Sequence, residues 1–203
     1  VLTASTKMAK AGLTDTAVAT DAITTILNSY NLSAEKASDV SDLLFTIVKK
    51  GKTTMGELAP TIGRVGALGA SAGLSLEEMG ASLASMTASG LKTEEAVTAL
   101  RGILTTFLSP TEEAVKVAQK LGFELNSNTL KTMGLIGVME KLQGASKEEV
   151  AAIFSNVRAL AGMSTMLQNV TKYKQNLTAM TQRAGATEEA NKEIVNSTKV
   201  AFD

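Results

Sequence analysis

The sequence predicts an all-α fold, a compact bundle of about eight to ten short-to-medium antiparallel helices arranged as stacked helical hairpins. Three observations predict it. Aromatic residues are only 3% of the 203 residues and Trp is absent, so the core must come from Ala, Leu, Val, Ile and Met. Such a core suits close-packed helices better than sheets, which favour β-branched and aromatic side chains. Apolar residues recur at helical spacing, and no stretch alternates convincingly with period two. Finally, a hydroxyl residue followed by acidic residues repeatedly introduces an apolar pattern, the signature of a capped helix start.

Taken in order, the helices are expected at 14–30, 34–50, 55–71, 76–89, 94–108, 110–121, 129–143, 147–168, 169–184 and 188–203. Their stripes include Val40, Leu43, Leu44 and Ile47; Leu76, Met79, Leu83 and Met86; and Val97, Leu100, Leu104 and Phe107. Later stripes run through Leu135, Val138, Met139 and Leu142, through Val150, Phe154, Val157 and Leu160, and through Val170, Tyr173, Leu177 and Met180. Ser75, Thr93, Ser109, Ser146 and Thr187 each precede acidic residues, and Thr54/Glu57, Ser75/Glu78, Ser109/Glu112 and Ser146/Glu149 have capping-box spacing. Pro110 falls at a first helical position, where its missing N–H costs nothing. Pro60 should kink or split its helix. Gly51, Gly90, Gly122, Gly144 and Gly185 sit where helices should stop.

Residues before 12 read as the continuation of an upstream helix, and Asp203 falls within an amphipathic pattern, so the chain is expected to be a piece of a longer protein. The least regular stretch, 123–128, places a boundary between two helical subdomains, 1–122 and 123–203. The first holds a Gly/Ala-rich central hairpin. Residues 56–91 carry only four charges, Glu57, Arg64, Glu77 and Glu78, with Gly63, Gly66, Gly69, Gly73 and Gly80 among them. Small residues let helix backbones approach closely. This segment reads as a hairpin packed inside the domain, or, alternatively, as a surface that meets another copy of the chain. An internal echo joins the segment ending Gly51-Lys52-Thr53 to the one ending Gly90-Leu91-Lys92-Thr93.

Composition narrows the chemistry. Lys+Arg and Asp+Glu are both 20, so nothing favours nucleic acid or an anionic membrane. Cys and His are absent, which removes thiol chemistry, the commonest general base and the commonest metal ligand. The longest uncharged runs, 65–76 and 159–171, fall well short of the roughly 20 apolar residues that span a bilayer. The five acidic pairs, Glu77/Glu78, Glu94/Glu95, Glu112/Glu113, Glu148/Glu149 and Glu188/Glu189, are the candidates for acid–base work, and each is explained as a helix start. Asp39 and Asp42 read as a solvated face rather than metal ligands. Gly66, Gly69 and Gly73 match no phosphate-binding loop, because no strand precedes them. Lys49, Lys50 and Lys52 suit a helix C-terminus. The nine methionines read as core filler, with a partner groove as the alternative. No catalytic, cofactor-binding or metal-binding residue is assigned.

Residues 50–58, KGKTTMGEL, resemble the segment of phage tail tape measure proteins in which one helix ends on KGKT and the next opens with xxEL. Residues 73–86, GLSLEEMGASLASM, and 90–108, GLKTEEAVTALRGILTTFL, followed by Ser109, Pro110 and Thr111, are similar to the core region of the same family. So is 154–160, FSNVRAL. Together the likeness covers roughly 14–185, and it rests on order and spacing. It implies a virion structural protein of a phage or prophage. Such a protein sets tail length inside the growing tube, templates tube assembly with tail tube proteins, tail tip proteins and tail assembly chaperones, and leaves ahead of the DNA. It implies residence in the interior of the phage tail, and in the host cytoplasm during assembly. It implies no enzyme, no cofactor and no nucleic acid binding, and leaves membrane contact to other parts of a longer chain.

A ruler should be one long helix with sustained heptads. The capped, interrupted pattern instead predicts a folded module at one end of the ruler. Two other functions remain open at the level of sequence: a membrane-active or pore-forming helical module, and a helical cell-wall hydrolase, which would need a Glu in a cleft away from a helix start.

Overall fold

The computed structural model describes the backbone of residues 1–200 and the side chains of residues 1–194. It is all-helical, with no strand among the described residues. The helices are α1 (Leu2–Ala11), α2 (Thr16–Ser29), α3 (Ala37–Lys50, entered through a 3-10 turn at Ala34–Lys36), α4 (Met55–Ala72), α5 (Leu76–Ala88) and α6 (Thr93–Leu108). They continue as α7 (Glu112–Lys120), α8 (Ser127–Leu142), α9 (Lys147–Ile153), α10 (Val157–Leu167), α11 (Val170–Thr181) and α12 (Ala186–Val200).

The helices stack as hairpins in two rows. One row runs α1, α3, α5, α11, and the other runs α2, α4, α6, α10. α7 lies on α9, α8 touches α4, α5 and α11, and α12 lies on α1 and α3. Helix α5 is the centre, since eleven of its thirteen residues are buried. Eight of the nine methionines are at most 1% exposed, among them Met8, Met55, Met79 and Met86, so they fill the core as expected.

The Gly-rich segment packs within the molecule, but its two helices face different partners. A Cβ on Gly66 of α4 would stand 3.2 Å from Ile26 of α2, and one on Gly80 of α5 would stand 3.2 Å from Leu43 and Ile47 of α3. Contacts between α4 and α5 themselves are few. Each helix of this pair therefore belongs to a different row.

Several expected boundaries move, each for a local reason. Pro60 does not split α4. The carbonyl it cannot satisfy belongs to Gly56, and both residues are exposed, so water can take the lost bond. The expected 147–168 helix breaks at Phe154, where the backbone leaves helical geometry and the ring is fully buried. Asn156 then opens α10 by accepting from Arg158 N–H and Ala159 N–H at 3.0 and 3.2 Å. Helix α7 starts at Glu112 rather than Pro110, because Thr111, not Ser109, accepts the capping bond from Ala114 N–H. Within α8, Gly134 adopts φ 68°, ψ 175° and breaks the helix into two arms. Thr54, Ser75 and Ser146 cap as expected, each accepting the N–H of the Glu three residues on at 3.2 Å.

Candidate functional site

The segments that carried the family likeness meet in space. Gly51 lies against the end of α5 so closely that a Cβ would fall 2.5 Å from Thr87 Oγ1. Lys52 N–H donates to that same hydroxyl at 3.3 Å. Thr93 donates to Glu57 Oε2 at 3.0 Å, and its hydroxyl lies 2.7 Å from Thr53 Oγ1. The loops after α3 and after α5, the two members of the internal echo, are thus sewn together. The starts of α4 and α6 open a cleft of about 740 Å³ beside this seam, lined by Lys52, Glu57, Pro60, Lys92, Glu94 and Glu95 among others. Its lysines and glutamates are exposed and of both signs, and its hydroxyls already bond each other. Such a cleft suits a polar protein surface rather than a reacting small molecule.

Residues 154–160 make a second seam. The Phe154 ring lies 6.5 Å from that of Phe107 at the end of α6. Ala159 meets Gly102 of α6, where a Cβ would stand 3.0 Å from the alanine methyl. Beside this seam is a more apolar groove of about 480 Å³ between the end of α8, α9 and α10, lined by Leu142, Val150, Leu160 and Leu167.

The acidic pairs disperse among structural tasks. Glu77 pairs with Arg183 at 2.7 Å, and Glu95 accepts from Lys92 N–H at 3.0 Å. Glu149 accepts from Ser146 N–H at 2.9 Å and pairs with Lys120, whose proximity holds its carboxyl below the usual range. Glu188 pairs with Lys7, which lowers its pKa in the same way. Glu94 stands 3.9 Å from Arg64, and Glu112 and Glu113 are exposed in the first turn of α7. Among the described residues no group of three or more acidic side chains is placed to hold a metal ion. Nor is any described helix long and apolar enough to cross a membrane.

Three charged residues do more than their sequence context announced. Glu78, 6% exposed, reaches from α5 to the Gly134 break and accepts from Ile136 N–H at 3.1 Å. Burial raises its pKa, while the backbone N–H groups of Ile136 and Leu135 oppose the rise. Its carboxylate caps the second arm of α8 from another helix. Asp42 is equally buried, contrary to the expected solvated face. Its two oxygens accept from Gly185 N–H and Thr187 N–H at 2.8 and 2.9 Å, so the cap of α12 comes from α3 and not from Thr187. Arg183, 8% exposed, donates to Asp39 Oδ2 and Glu77 Oε1 at 2.9 and 2.7 Å, clamping the end of α11 to α3 and α5. Asp39 is thereby drawn into an ion pair. The sequence carried one usable signal for Asp42, its place beside Val40, Leu43 and Leu44 on an apolar stripe. For Glu78 the signal was Gly134, an isolated glycine inside a helical pattern.

A profile of the family described as phage-related minor tail protein matches residues 1–189. Two curated relatives are phage proteins. The chain is 27% identical over 187 residues to the tape measure protein of Pneumococcus phage Dp-1, covering 90% of this chain and 16% of the relative. It is 29% identical over 208 residues to the probable tape measure protein of Clostridium phage phiCD119, covering 97% of this chain and 22% of the relative. The chain belongs to the phage-related minor tail proteins, in the tape measure family. It spans about a sixth to a fifth of the length of these tape measure relatives. No solved structure matches it. Its role is structural, in the phage tail. Within that role, the sewn loops and the α6–α10 seam are where the family-like residues of the tape measure segment concentrate.

Proposed function

We propose that this chain is a folded module of a tape measure that sets tail length and templates tail tube assembly, and that it aids DNA delivery. The observation that carries the reading is the combination of tape measure kinship with a compact, two-row helical stack. A ruler shaft has no use for twelve capped helices; a terminal module that must be recognised during assembly does. Tail tube proteins, tail tip proteins and tail assembly chaperones are its proposed partners, with the mixed-charge cleft at the α4 and α6 starts as the docking face. Its proposed location is the interior of the phage tail, and the host cytoplasm during assembly.

The test is an in-frame deletion of this module in the full-length phage gene. About 200 residues of continuous shaft helix correspond to roughly 300 Å at 1.5 Å per residue. Tails assembled with the deletion should shorten by far less than that, or assembly should fail at initiation. Shortening by the full 300 Å, measured by electron microscopy, would mean the segment is extended shaft.

A further inference from the structure

Helix α12 is attached differently from the other helices. Of its residues 186–194, only Thr187 is buried. The attachments are polar and concentrate in its first turns: Asp42 accepts Gly185 N–H and Thr187 N–H, and the Thr187 and Ser41 hydroxyls lie 3.2 Å apart. Glu188 pairs with Lys7, and the Asn191 amide donates to Lys7 O at 2.9 Å. A gap of about 90 Å³ remains at its base, lined by Ala4, Lys7, Ser41 and Asp42 on the body and by Gly185 and Thr187 on the helix side. Just before α12, Arg183 is fixed to Asp39 and Glu77. Between the fixed point and the helix lies Gly185 at φ +84°, with nothing within 4 Å of where its Cβ would be.

We propose that α12 is a hinged arm, with Arg183 as its mount, Gly185 as its pivot and Asp42 as its catch. Releasing the catch lets α12 swing into line with α11 while the two-row stack stays folded. Residues 182–185 are the whole connection, so straightening Gly185 into helical geometry produces one helix over 170–200, about 46 Å long. A segment held by exposed polar contacts rather than buried apolar ones opens below the global unfolding energy. The catch faces Lys7 and Glu188, with Arg183 and Asp39 nearby, so salt weakens the attachment as well.

Hydrogen exchange on the intact chain tests this. In Asp42→Ala, peptides from α12 should exchange about tenfold faster or more, while peptides from α5 and α6 exchange as in the parent. Because Asp42 lies on α3, a second variant acts on the pivot alone. Gly185→Ala disfavours the left-handed turn by about tenfold without meeting a neighbour. The chain has no Cys, so spin labels at Lys10→Cys and Lys192→Cys report the arm cleanly. The parent should give one short distance, and Gly185→Ala should add a longer population. A single short distance with unchanged α12 exchange in Gly185→Ala overturns the proposal. So does loss of α5 and α6 protection in step with α12 in that variant.

Discussion

At the scale of single residues, Glu78 and Asp42 do one job twice: each carries a carboxylate from one helix to the exposed N–H groups at the start of another. For Glu78 the arrangement has a sign. Burial raises its pKa above the ordinary 4.5, so the folded chain holds that proton more tightly than the unfolded chain. Its ionised form therefore weighs against the fold at neutral pH. The penalty is relieved as pH falls through the raised value towards 4.5. Glu78→Gln keeps an oxygen for Ile136 N–H and removes the charge. Denaturant midpoints should place the variant at or above the parent at pH 7, with a flatter stability profile between pH 7 and 4.5. An identical slope in both proteins would assign the titration to another group. Gly134→Ala should cost about 2 kcal/mol or more, since its φ/ψ is open essentially to Gly alone and a Cβ would meet Glu78 Oε1 at 2.5 Å. Neither long-range cap was legible beforehand. Ser75 and Glu78 announce a capping box three residues apart, but which distant helix the carboxylate serves depends on contacts 58 residues away.

At the scale of elements, local chemistry was legible wherever one candidate stood alone and ambiguous where two competed. Thr54, Ser75 and Ser146 each had no rival hydroxyl able to take the cap, and each caps. At α7, Ser109 and Thr111 flank Pro110, and Thr111 takes the role because both glutamates then fall in the first turn. Thr111→Ala should accordingly cost about 1 kcal/mol in chemical denaturation. Ser109→Ala should stay within roughly 0.5 kcal/mol of the parent. The reverse ranking would restore the cap to Ser109. The 147–168 stripe hid its break because Phe154 is apolar in sequence yet leaves the helix to bury its ring against Phe107. Apolar spacing alone cannot tell a helical Phe from one that plugs a junction.

At the scale of the whole molecule, the all-helical class and the stacked hairpins follow from stripes and stops, whereas the sorting of helices into rows depends on shape complementarity that no stripe encodes. The cleft between the α4 and α6 starts was half legible: the echo of Gly51-Lys52-Thr53 and Lys92-Thr93 was visible, but not that the two threonines touch. A fragment of residues 1–122 tests the proposed division into subdomains 1–122 and 123–203. It lacks α10 and α11, which cover α6 and α5. The expected result is a broader melt by circular dichroism, with Met86 and Ile103 losing their cover; a sharp, cooperative melt would mark 1–122 as self-sufficient. The alternation of the first six helices between rows carries one more implication, for how such a chain changes over generations. Odd-numbered helices build one wall and even-numbered helices the other. Losing a single early helix would invert the parity of all that follow, sending each stripe to the wrong wall. Losing or gaining an adjacent pair only removes or adds a rung, so insertions and deletions tolerated within α1–α6 should come as whole hairpins.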